Sequence, residues 1–180
     1  NPNNPTGALY PVELLATGVS MVTVSVRRPG PDVLDPRVKS LNYLNSVLAK
    51  REARLRGADE ALILNSVGNV AEAAVANVFA FRRGKLLTPP ATDGALEGVT
   101  RGCVMELAAG LGIPAEERSL TRMDLLSADE VFLSGTGARI VAVRSLDGEA
   151  LGTPPPGPVT RRLEAAFAAL VKEPAMGTPF

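Results

Sequence analysis

Residues 60–88 constrain the fold more than any other stretch of this chain. Glu60 to Leu64 reads EALIL, a short apolar run of strand length. Asn65-Ser66-Val67-Gly68-Asn69 is a turn, because Asn and Gly tolerate the backbone angles of a reversal. Asn77 to Arg82 (NVFAFR) alternates like a strand, and Arg83-Gly84 turns it into Lys85-Leu86-Leu87-Thr88 as a hairpin. Pro89-Pro90 ends that pairing. A chain with this centre is built around paired strands.

The flanks supply more strands and the helices. Met21 to Val26 (MVTVSV) is β-branched and predicts a strand. Arg27 to Pro36 carries three prolines and a glycine and predicts a loop. Ser40 to Arg56 lacks Pro and Gly and predicts a helix, with Gly57 ending it. Val99 to Ala109 predicts a second helix, stopped by Gly110. Val131 to Ser134 and Arg139 to Val143 predict strands around a Gly-Thr-Gly turn. Val159 to Val171 predicts a closing amphipathic helix behind the loop from Gly152 to Gly157. Asn1 to Gly7 is turn-rich and predicts a surface loop. The class is α+β, as one domain over 1–180, with 1–20 a loop or inter-domain segment.

Composition removes several kinds of chemistry. The chain has no histidine, so it cannot by itself build a Ser-His-Asp or Cys-His site or the usual zinc ligand set. Nineteen basic residues balance nineteen acidic ones, which gives no electrostatic reason to expect nucleic acid or an anionic membrane as partner. No apolar run approaches the roughly 20 residues of a membrane span. Cys103 is the one cysteine and forms no disulfide within the chain, which fits a reducing cytoplasm. Proton transfer would fall to Lys, Asp, Glu, Tyr or a cofactor.

Four segments carry candidate chemistry. Lys39 sits where an extended segment meets a helix; there an amine is either solvated or held for a Schiff base with an aldehyde cofactor. Glu72 is the single charge in the run from Val70 to Phe81, so it needs a partner, either a cationic ring nitrogen or backbone amides. Leu96-Glu97-Gly98-Val99-Thr100-Arg101 leads into a helix, whose first N–H groups suit a phosphate or an ordinary N-cap. Ser134-Gly135-Thr136-Gly137-Ala138 is a small-residue turn that lets backbone amides approach an anion.

The order of these segments resembles a known family. Lys-Ser-Leu-Asn-Tyr-Leu, Ala-Glu-Ala-Ala-Val-Ala-Asn-Val-Phe, Leu-Thr-Pro-Pro, Leu-Glu-Gly-Val-Thr-Arg, Ala-Asp-Glu-Val-Phe-Leu-Ser-Gly-Thr and Gly-Pro-Val-Thr-Arg-Arg-Leu run from about Met21 to Val171 as they do in the class IV, or fold-type IV, aminotransferases. That family includes branched-chain and D-amino acid aminotransferases and aminodeoxychorismate lyase. The resemblance implies pyridoxal 5'-phosphate as cofactor and the large pseudo-barrel domain of that fold, with the N-terminal small domain and its phosphate-binding arginine absent from this chain. It implies that Lys39 carries the cofactor and later moves the substrate Cα proton. Glu72 would pair with the pyridine nitrogen and Tyr43 with the 3-oxygen. Leu96 would pack on the ring. Gly98, Val99, Thr100 and Thr136 would hold the phosphate, and the amides of Gly137 and Ala138 would face the substrate carboxylate. No residue is implied as a metal ligand.

Tyr43 and the Ser-Gly-Thr-Gly-Ala turn favour a transaminase of branched-chain L-amino acids. Lys39-Ser40-Leu41-Asn42 keeps the D-amino acid enzyme open. A lyase using the same cofactor also fits the resemblance, as does a non-catalytic domain that keeps the fold. The resemblance also implies a homodimer. Arg139 stands where relatives often carry Glu and reads as a surface residue.

Overall fold

The structure, a computed structural model, describes Tyr10 and residues 12–35, 37–137 and 139–172. The loop expected over Asn1 to Gly7 lies outside the described residues. In chain order the elements are α1 (Val12–Thr17), β1 (Val19–Arg27), α2 (Leu44–Leu55), β2 (Glu60–Leu64), β3 (Val70–Ala73), β4 (Asn77–Arg82), β5 (Lys85–Thr88), a 3-10 turn (Ala91–Asp93), α3 (Val99–Gly110), β6 (Ala115–Glu117), α4 (Arg122–Leu126), β7 (Glu130–Gly135), β8 (Arg139–Leu146), β9 (Glu149–Ala150) and α5 (Pro158–Leu170).

The strands form one curled sheet in the order β3-β2-β1-β8-β7-β4-β5-β6, with β9 on β8. β1 is parallel to both β2 and β8. A parallel pair needs a long crossover, and the connection through α2 supplies it between β1 and β2. β3, at one end of the path, is linked to β4, five places along it, by Ala74-Val75-Ala76, and the Ala73 N–H donates to the Ala76 carbonyl at 2.9 Å. That link draws the ends of a six-strand run together and curls the sheet.

Both faces are covered. Ala49 and Ala53 of α2 pack on Val22, Val24, Ala61 and Ile63. Their small size lets the helix lie close to β1 and β2. Further along the same face, α3 and α5 cover Phe79 and Phe132, which stack with ring centroids 5.0 Å apart, while Leu62 and Leu64 of β2 point to the opposite face, into a core with Met21, Val78, Leu133 and Val143. Every residue of β2 is therefore buried. Near its start, Glu60 is buried and accepts from Lys50 Nζ at 2.6 Å and from the Tyr10 hydroxyl. No helix among the described residues is long and apolar enough to cross a membrane.

Several boundaries differ from the sequence reading. α1 and the start of β1 occupy part of the stretch expected to be a loop or inter-domain segment. α2 starts at Leu44, not Ser40. The Ser40 N–H donates to Val38 O at 2.8 Å and that of Tyr43 to Leu41 O at 2.9 Å, two tight turns that keep this segment out of the helix. α3 runs through Gly110, and the left-handed residue beyond it is Gly112, at φ +71°. β3, β6, β9, α1 and α4 are elements that the periodicity did not reveal, being two to six residues long.

Candidate active site

β1 ends at Arg27, so Arg28 is the first residue to leave the sheet, while its N–H still donates to Leu64 O at 2.9 Å. Its guanidinium turns inward and pairs with Glu72 on β3. The other Glu72 oxygen accepts from the Leu96 N–H at 2.9 Å and from Asn77 Nδ2 at 3.3 Å. Asn77 Nδ2 also reaches Leu96 O at 2.8 Å. Arg28 Nε donates to Gly94 O at 3.1 Å. One carboxylate thus ties together β3, β4, the end of β1 and the segment before α3. Burial pushes the Glu72 carboxyl above its ordinary 4.5; the Arg28 charge, the Leu96 amide and the Lys39 charge pull it down without cancelling that rise.

Lys39 lies in the connection between β1 and α2. Its Nζ is 3.3 Å from the Tyr43 hydroxyl, to which it donates. Within the same connection, Asp35 accepts from Arg37 Nη2 at 2.6 Å, and that bond holds the half-buried Asp35 carboxyl at about 2.

The third part is the start of α3. Gly98 is its N-cap, extended at φ −70° and ψ 139°, and no side chain caps the helix. The first-turn N–H groups of a helix have no partner within it, so a start without a side-chain cap favours an anion. Thr100 is buried there.

These parts line one cleft of about 260 Å³. Lys39, Tyr43, Glu72, Leu96, Gly98, Val99, Thr100 and Thr136 all border it. Gly137 is not among its lining residues, and Ala138 lies outside the described residues. Arg139 is exposed, at φ +57°. The sequence reading missed Arg28 and Asn77. Arg28 sits in a Pro-rich loop 44 positions from Glu72, and only the need of Glu72 for a partner hinted at it. Asn77 looked like one more position of an alternating strand.

Chemically the cleft offers an amine with a phenol beside it, a buried carboxylate, and an anion-favouring helix start. A family model described as amino-transferase class IV matches residues 4–146. A Methanocaldococcus jannaschii protein described as a putative branched-chain-amino-acid aminotransferase is 47% identical over 150 residues, which is 83% of this chain and 52% of the relative. The solved branched-chain amino acid aminotransferase of Escherichia coli superposes with a TM-score of 0.88 at 42% identity, over 91% of this chain and 54% of that one. The corresponding enzyme of Thermobaculum terrenum, solved in its PLP form, gives 0.84 at 42% identity, over 87% and 52%. The chain spans about half the length of the curated relatives it matches.

Proposed function

The chain belongs to the class IV aminotransferase family, and on that footing we propose that it is the pyridoxal-phosphate-binding domain of a transaminase acting on branched-chain L-amino acids. The observation that carries the reading is that Lys39, Glu72 and the start of α3 border one cleft. Their donor set fits the cofactor at three points. An amine meets an aldehyde, a carboxylate meets a basic ring nitrogen, and a helix start without a side-chain cap meets a phosphate. When bound, pyridoxal phosphate supplies the electron sink that makes the substrate Cα–H acidic.

The residues of the chain do the rest. Lys39 Nζ would hold the cofactor covalently, and its amine, when free, would take the substrate Cα proton and return it. Tyr43, 3.3 Å from that amine, holds it in position and offers its hydroxyl to the 3-oxygen. Glu72 keeps its negative charge facing the ring nitrogen. Leu96 would pack on the ring, and Gly98, Val99, Thr100 and Thr136, which border the cleft, would hold the phosphate. The amides of Gly137 and Ala138, which follow the cleft-lining Thr136 in the chain, would take the substrate carboxylate. Branched-chain substrates are favoured by the names of the relatives at 42–47% identity. The reading extends to a single domain over the whole chain and to a homodimer in the cytoplasm. It is supported there by the exposed apolar residues Leu44, Val47, Leu48 and Leu55 of α2, and by the unpaired Cys103.

The test uses the full-length protein with pyridoxal phosphate. A visible band from the bound cofactor, lost in Lys39→Ala, is expected, with amino transfer from L-valine, L-leucine and L-isoleucine to 2-oxoglutarate. A full band in Lys39→Ala, or turnover of D-amino acids only, overturns the assignment or the substrate. Light scattering that finds only a monomer removes the dimer.

A further inference from the structure

We infer that Arg28 is a positioning residue, whose guanidinium keeps the buried Glu72 anionic and fixed in direction toward the cleft. This deepens the functional reading above and rests on it for the identity of the ligand.

The geometry singles out Arg28. Glu72 is the one charged residue of β3, and it is almost wholly buried. A carboxylate so placed sheds its charge by taking a proton unless a cation and hydrogen bonds compensate it. The charges that bear on it come from the connection between β1 and α2. Arg28 is in direct contact and Lys39 acts across the cleft. From β4 it meets the neutral Asn77, and from the segment before α3 the Leu96 amide. Tyr43 and Glu97 border the same cleft. Lys39 is the group that reacts, so its charge is not constant through turnover. Arg28 is the cation that stays.

The guanidinium is also held rigidly. Nε donates to Gly94 O at 3.1 Å while Nη2 takes Glu72, and Nη1 lies 3.5 Å from Ser46 Oγ. Gly94, at φ +102°, leaves room for it: a Cβ there would stand 2.7 Å from Arg28 Cγ. A lysine has one head group and cannot make all of these contacts from one position. With the charge of Glu72 lost, the ring nitrogen would lose the buried anion that favours its protonated form.

The experiment reads Glu72 directly in the full-length protein without cofactor. Difference infrared spectra follow the protonated-carboxyl band, assigned by its absence in Glu72→Gln. At neutral pH the wild type is expected to lack that band and Arg28→Met to show it. Arg28→Lys lacks it at neutral pH but gains it at a higher pH than the wild type. Titration with pyridoxal phosphate is expected to show binding weakened about tenfold or more in Arg28→Met and about threefold or less in Arg28→Lys. An ionised Glu72 in Arg28→Met, or cofactor affinity within about twofold of wild type, overturns the inference. Where Arg28→Met does not fold, Arg28→Lys decides: a band that appears at the wild-type pH overturns it. Failure of the wild type to bind the cofactor sinks the functional reading instead, and the infrared result on Glu72 still decides the role of Arg28.

Discussion

Gly98 and Asn77 touch across the floor of the cleft so closely that a Cβ on residue 98 would stand 2.5 Å from Asn77 Oδ1. The same Asn77 side chain bonds Glu72 and Leu96 O. Gly98→Ala therefore pushes on the residue that orients the carboxylate. Overpacking of this kind costs roughly 1–3 kcal/mol. We expect weaker binding of pyridoxal phosphate, by about tenfold, with a small loss of thermal stability. A cofactor titration beside a melting curve checks both, and unchanged affinity would show that Asn77 has slack.

Glu72→Gln keeps the shape and removes the charge. The amide can still accept from Leu96, but Arg28 is left facing a neutral group. Removing one partner of a buried pair costs about 3–5 kcal/mol, and the partial exposure of Arg28, 18%, brings the expectation down to about 2–3. Amino transfer should fall by about 10- to 100-fold or more, the size of a lost hydrogen bond to a charged group. Denaturant unfolding and single-turnover rates measure the two effects.

Glu130 tests how the sheet holds its closing helix. It is buried on β7 and caps α5, accepting from the N–H groups of Val159 at 2.9 Å and Thr160 at 2.8 Å and from the Thr160 hydroxyl at 2.7 Å. Glu130→Ala leaves all three donors without an acceptor. A lost cap and buried unpaired donors together predict a destabilisation of about 2–4 kcal/mol. Urea unfolding checks it, and a loss below about 1 kcal/mol would mean that water replaces the carboxylate.

Asp147 predicts a pH dependence. Its burial opposes the charge. Hydrogen bonds from Thr23 and Arg122, with the Arg122 charge, outweigh that and leave the carboxyl below its ordinary 3.8. A carboxyl lowered by folding stabilises fully above its unfolded value and loses that contribution as pH falls through the folded value. The wild type should melt above Asp147→Asn at neutral pH, and the gap should close below about pH 4. A gap that stays constant with pH would assign the effect to hydrogen bonding alone.

Much of the fold was legible locally. The strands at 21–26, 60–64, 77–82 and 85–88 stand where alternation and turn residues put them, because side-chain burial on a sheet imposes its own period. The closing helix at Pro158–Leu170 followed its apolar stripe. β6 and α4 were not legible. A three-residue strand is fixed by its partner β5, and a five-residue helix by the Thr121–Asp124 capping box. Ser40 to Tyr43 have ordinary helix-compatible chemistry but are held in tight turns between Lys39 and α2.

By itself the sequence determined the class of the fold and which residue types are available for chemistry: no imidazole, one isolated carboxylate in an apolar run, and a lysine ahead of a helix. Those depend on neighbours along the chain, which a sequence states directly. Tertiary structure alone decided that Arg28 is the cation on Glu72, that Asn77 orients it, and that Lys39 and α3 share its cleft. A buried charge requires a partner but does not say which residue. That choice is made when the curling of the sheet brings the end of β1, β3 and the start of α3 together.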